Sequence, residues 1–113
     1  MDSKKPHTVE EFPLKPNSAL NIVRDLADNH TQSVRFSQHA KDRMLERGVS
    51  NKQVFDVLGS HRSYITESPY QTPRGTWKFN LMGFSSGTAI ELVIDIRRPE
   101  DAPSIYIVTV IVK

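Results

Sequence analysis

At 113 residues, with 37% hydrophobic and 25% charged side chains, the chain is the size of one globular domain, able to bury a core without staples. It has no cysteine, which excludes disulfides, thiolate metal sites and cysteine nucleophiles; it also has no run near the roughly 20 apolar residues that span a bilayer and no apolar signal segment, so a cytoplasmic protein without membrane contact is expected. The net charge of +2 is uneven: from Arg35 to Lys78 eight Lys and Arg face four acids, while the rest is net acidic, a distribution that permits a polyanionic partner.

Residues 1–16 read as an irregular leader broken by Pro6, Pro13 and Pro16, with Phe12 and Leu14 free to dock on the body. A helix is expected from about Ala19 to Asp28, capped by Asn17 or Ser18, with Leu20, Val23, Leu26 and Ala27 at helical spacing. Val34 and Phe36 alternate with polar neighbours as a short extended piece. Ser37 then reads as an N-cap for Gln38–Arg47, closed by Gly48, and Ser50 with Gln53 forms a capping box for a second helix ending at Gly59. Beyond Gly59 the period becomes two. Tyr64-Ile65 begins one strand and Thr76–Leu81 is another. Thr88–Ile96 places Ile90, Leu92, Ile94 and Ile96 on one face. Ile105–Val112, apolar on both faces, reads as a central or doubly covered strand. Gly83–Gly87 and Pro99–Pro103 have hairpin length. The class is α+β: N-terminal helices packed on one face of a curved antiparallel sheet of three to four strands. Residues 1–30 are expected as an arm with one helix, and 31–113 as the domain.

The densest chemical signal is Ser37–Gly48. His39, Arg43 and Arg47 recur every four residues and share a helical stripe. Arginine offers planar donors to phosphate, and histidine moves a proton near neutral pH. The competing reading is structural, because Asp42 and Glu46 lie between them as ready ion-pair partners. Arg74 and Lys78, with the C-terminal Lys113, form a second basic group. One reading puts Lys78 and Lys113 in a shared concave face between sheet and helices; the favoured reading is that a strand lysine discourages edge pairing and the terminal lysine is simply solvated. Trp77 and Tyr106 have the chemistry to stack on bases, although aromatics at period two usually fill a core. His7, His30, His39 and His61 lack metal-ligand spacing, and no Walker or dinucleotide-binding glycine pattern occurs. The two short helices also follow the grammar of a helix-turn-helix, with Asn51, Lys52 and Gln53 as its readers.

The run Arg35-Phe36-Ser37-x-His39-Ala40-x-x-Arg43-Met44-x-Glu46-Arg47-Gly48-Val49-Ser50 resembles a family of short bacterial and phage proteins of unassigned function. That family carries the pattern S-x-H-A-x-x-R-M-x-x-R-G-[IV]-[ST] and is grouped with the RelE/ParE-like and BrnT-like toxins of toxin–antitoxin systems. The resemblance covers about residues 34–113 and implies a RelE-like α+β fold. It further implies a metal-independent RNA endonuclease, an mRNA interferase that needs no cofactor. By that match His39 is the acid or base and Arg43 and Arg47 hold phosphate. Arg74, Lys78 and Lys113 are added to the RNA surface on charge alone. The implied partners are a cognate antitoxin and RNA, free or on the ribosome, with a homodimer left open. Two other expectations stand beside this one: a non-catalytic phage or defence-system module that binds another protein, and a small DNA-binding regulator.

Overall fold

Proline opens the first helix. Pro16 sits in its first turn, where a missing N–H is tolerated and the fixed φ suits a helix. Helix α1 accordingly spans Pro16–Asn29 with Lys15 at the N-cap position, earlier than a start capped by Asn17 or Ser18. The computed structural model describes residues 13–97 and 102–113. The leader through Phe12 and most of the Pro99–Pro103 connection lie outside the described residues. Leu14 is buried, as are Ala19, Val23, Leu26 and Ala27 along one face of α1. These residues join the same apolar core as the strands, so the helix assigned to an arm over 1–30 packs against the body.

A 3₁₀ turn, Thr31–Ser33, leads into strand β1, Val34–Phe36. Helix α2 then runs Gln38–Arg47. Its cap is Ser37, whose Oγ accepts from Ala40 N at 2.9 Å and donates to Val108 O at 2.8 Å. One hydroxyl therefore satisfies a free helix N–H and fastens the helix to the sheet. Gly48 closes α2 at φ +70°, a conformation that disfavours any residue with a Cβ. Helix α3, Asn51–Gly59, begins with the capping box between Ser50 and Gln53.

The sheet is larger than expected and mixed. Strands β2 (Tyr64–Gln71), β3 (Trp77–Ser85), β4 (Thr88–Arg97) and β5 (Ser104–Val112) join β1 in the order β1-β5-β4-β3-β2. The meander β2–β5 is antiparallel, whereas β1 pairs with β5 in parallel and makes the fifth strand. Three residues are too few to show a period, which is why β1 reads only as an extended piece. Strand β3 also outruns its predicted end at Leu81. It reaches Ser85, and a two-residue turn at Ser86 (φ +53°) and Gly87 (φ +78°) replaces the five-residue loop. Positive φ at both positions matches the strand twist.

Alternation sets the two faces of the sheet. Phe79, Leu81, Ile90, Leu92, Ile94, Ile96 and Ile107 all have 0% exposure and lie under the helices. Helix α3 packs tightly at Gly83, where an added Cβ would sit 2.8 Å from Val57 Cγ1 and 2.5 Å from Ser63 Oγ. The other face carries no helix among the described residues. Strand β5 is thus internal to the sheet but covered on one side.

Candidate nucleic-acid interface

The uncovered face follows from register. Lys78 pairs with Tyr70 on one side and Asp95 on the other; Asp95 pairs with Tyr106, and Tyr106 with Arg35. All five strands contribute one side chain to this row, whose four interstrand steps span about 19 Å. Tyr70 is 49% exposed; Lys78, Asp95 and Tyr106 are half-buried and Arg35 is exposed. Arg97, two residues beyond Asp95, stacks its guanidinium on the Tyr106 ring at 4.3 Å from the centroid. Arg74 is exposed in the β2–β3 turn, which begins one residue pair beyond Tyr70 and Lys78. Arg35, Arg74, Lys78 and Arg97 therefore gather at one end of the open face with two tyrosines between them.

Lys113 is elsewhere. Its Nζ lies 3.2 Å from Glu91 Oε1, and Glu91 stands four residues from Asp95 along β4, about 13 Å away. Glu91 also accepts from Thr66 Oγ1 at 2.6 Å and Asn80 Nδ2 at 3.1 Å. The Thr66 hydroxyl is the main cause holding its carboxyl below the usual range; burial opposes this, and Asn80 and Lys113 add to the lowering. Lys113 thus serves a fixed carboxylate, away from the basic end. The reading that Lys78 and Lys113 share a concave face under the helices is corrected. Both lie on the face away from α3, because Lys78 alternates with Trp77 and Phe79, and Glu91 pairs with Met82 rather than with a core position.

Helix α2 supplies the second group. Ala40 and Met44 are its buried residues, so His39, Arg43 and Arg47 lie along its flank. His39 is exposed in the first turn, and no described residue hydrogen-bonds to it. Arg43 Nη1 holds Glu46 Oε1 at 2.7 Å, an exposed i,i+3 pair of small energetic value. Arg47 is exposed at the C-terminal end of the helix, where a cation suits the backbone dipole. The stripe and the basic end of the sheet approach each other only at the β1 edge. Arg35 lies there on the open face, Ser37 caps α2, and His39 follows two residues later. The four residues from Arg35 to His39 bridge at most about 14 Å.

Trp77 is a core residue at 5% exposure, whereas Tyr106 stands on the open face. Arg35 stood in the sequence only in the charge count and as the first residue of the motif run, and Asp95 and Arg97 were not singled out, although the alternation that put Ile94 and Ile96 inside also put Asp95 and Arg97 outside. On α3, Lys52 reaches Asp56 at 3.4 Å, and Gln53 is taken up by the capping box and by Ser85 O. Two of the three helix-turn-helix readers, Lys52 and Gln53, therefore have partners within the chain, and Asn51 is exposed at the start of α3. An open cleft of about 510 Å³ lies between the ends of α1 and α3 and the β3–β4 turn, but its charged lining is Asp28 and Asp56, the wrong sign for phosphate. Asp56 is held below its usual range chiefly by the Ser85 hydroxyl at 2.7 Å. Among the described residues no cluster of three or more His, Asp or Glu is arranged to hold a metal ion, and no helix is long and apolar enough to cross a membrane.

Comparison with known proteins finds no match among curated proteins or solved structures. One family covers residues 36–112, more than half of the chain, from the last residue of β1 to the last of β5. The chain belongs to that family, a domain of unknown function designated DUF4258.

Proposed function

We propose that this protein is a toxin-type, metal-independent endoribonuclease that takes single-stranded RNA on its open sheet face and is neutralised by a cognate antitoxin. The observation that carries the reading is the row Tyr70–Lys78–Asp95–Tyr106–Arg35, with Arg74 and Arg97 beside it. Aromatic side chains interleaved with cations accept bases and phosphates together, and a sheet surface spaces them for an extended strand. RNA carries its own nucleophile. The 2′-oxygen attacks the adjacent phosphorus, the bond to the 5′-oxygen breaks, and a cyclic phosphate and a free 5′-hydroxyl result. The protein must move a proton and offset charge at the phosphate. His39 supplies the proton transfer at the β1 edge, Arg43 and Arg47 extend the cationic path along α2, and Arg35 and Lys78 hold the strand.

The test is growth on induced expression of the wild-type chain beside His39→Ala and Lys78→Ala at matched levels of folded protein, with RNA profiling. Arrest and new RNA ends with wild type, lost in either variant, support the reading. Arrest that persists in both variants removes His39 and Lys78 from the mechanism. A second reading, a non-catalytic module that binds another protein, is favoured by Leu45 and Phe84, large apolar side chains 84% and 64% exposed. It gains if wild type neither arrests growth nor binds RNA.

A further inference from the structure

We infer that Asp95 and Arg97 form a guanine-reading site on the open sheet face; this rests on the RNA-binding reading above. Among the described residues three enclosed side-chain atoms have no hydrogen-bond partner: Arg24 Nε, alone on α1, and a pair on β4. Asp95 Oδ1 and Arg97 Nε are both enclosed and both without a hydrogen-bond partner. They sit two residues apart on β4, on the same face, with Cα atoms about 6.6 Å apart. Enclosed polar groups are nearly always paired, because an unmade bond forfeits the full cost of removing the group from water. The neighbours do not resolve this. Lys78 and Tyr106 are the cross-strand partners of Asp95, yet no hydrogen bond or ion pair from either reaches its carboxylate, and the Arg97 guanidinium is drawn onto the Tyr106 ring instead.

One orphan accepts and the other donates; both are covered by the chain itself, so a single ligand that offers the complement satisfies both once the two side chains turn outward. An ionised carboxylate presents two acceptor oxygens and no donor, and arginine presents donors alone. The Watson–Crick edge of guanine runs acceptor, donor, donor: O6, N1–H and N2–H. Its two donors meet the two carboxylate oxygens, and O6 faces the arginine. Uracil places a second acceptor where guanine has N2–H, which sets it against the carboxylate. Adenine and cytosine each offer one donor beside an acceptor. The terminal torsion of aspartate is broad and roughly two-fold, so its two oxygens exchange places as the base arrives.

The experiment uses the full chain and fluorescent 2′-O-methyl pentanucleotides, which lack the attacking hydroxyl and stay intact. The four probes are UUGUU, UUIUU with inosine, UUAUU and UUUUU, and binding is read by anisotropy. The expected result is that UUGUU binds about tenfold or more tighter than UUAUU and UUUUU. Inosine, which lacks the N2 donor, falls between them. Asp95→Asn, with unchanged circular dichroism and thermal midpoint, brings the affinity for UUGUU down to that for UUAUU and UUUUU. Arg97→Lys keeps the charge, loses the planar donor set and weakens the preference as a second check. Equal binding of all four probes by the wild type overturns the guanine site and leaves the RNA-binding reading standing. Failure to bind any of them overturns both.

Discussion

The two faces of one sheet answer to different demands. On the covered face, Phe79, Ile94 and Ile107 have no exposed surface and belong to the apolar core cluster. One residue along the same strands, Lys78, Asp95 and Tyr106 share a row with a cation at its β1 end. A sheet with one solvated face is ordinarily apolar inside and polar outside, and that rule accounts for the alternation. It does not account for an enclosed carboxylate oxygen and an enclosed guanidinium nitrogen left unpaired on the polar side. Apolar burial accounts for the strand positions under the helices; the unpaired atoms of Asp95 and Arg97 lie two residues apart on the other face, whereas the third such atom, Arg24 Nε, stands alone on α1.

The distinction breaks most visibly if the covered face proves dispensable. Phe79→Ala deletes a fully buried ring under α3 and is expected to cost about 3–5 kcal/mol, a large share of the roughly 5–15 kcal/mol that holds a domain together. Urea unfolding monitored by circular dichroism measures it. A loss below about 1 kcal/mol would mean that the core is loosely packed at its centre.

Ser37→Ala comes next, at about 1–2 kcal/mol in the same assay. Loss of an N-cap hydroxyl alone costs about 1 kcal/mol, and here the bond to Val108 O goes with it. A loss no larger than an ordinary cap would show that the tie between α2 and the bulged part of β5 contributes nothing.

The helices were legible because their signals are local. Ser37, Gly48, Ser50 and Gln53 fix the ends of α2 and α3 through bonds that span three to five residues. The strands β3 and β4 were legible through their period, and β5 as a continuous apolar run. What escaped was set by pairing between distant segments. Strand β1 exists because Val34–Phe36 finds the free edge of β5, some seventy residues away. Strand β2 continues through Pro69 with two register shifts, which an edge strand tolerates and a period-two search does not see. The candidate site divides in the same way. His39, Arg43 and Arg47 stand out within one turn-by-turn stripe. The row across the sheet draws single residues from five strands, and no local spacing joins Arg35 to Asp95 or Lys78.

Glu91 tests the open face by pH. Its carboxyl is held below the usual value of 4.5 in the folded chain, first by Thr66. A depressed folded pKa stabilises above the unfolded value, and that contribution disappears as the pH falls through the folded one. Glu91→Gln keeps one acceptor and loses the ion pair with Lys113, so it is expected to cost about 1 kcal/mol near neutral pH. The gap between wild type and variant should close below pH 4.5, because a protonated Glu91 resembles glutamine. Thermal unfolding across that range decides it, and a gap independent of pH would remove the charge from the account.

Lys78→Ala is expected to have the smallest effect on folding and the most informative one on function. Surface changes of this kind stay within about 0.5 kcal/mol, and no described residue forms an ion pair with Lys78. If the row holds an RNA backbone, loss of one phosphate contact lowers the slope of log affinity against log salt by about 0.7 for a single strand. Arg35→Ala, at the other end of the row, should lower it by a similar step, and the double variant by about the sum, since the two are too far apart to share a phosphate. An unchanged salt slope in both variants, with stability intact, would make the basic end of the sheet an ordinary solvated surface. A matching fall in both would separate the two faces by function as cleanly as Phe79→Ala separates them by stability.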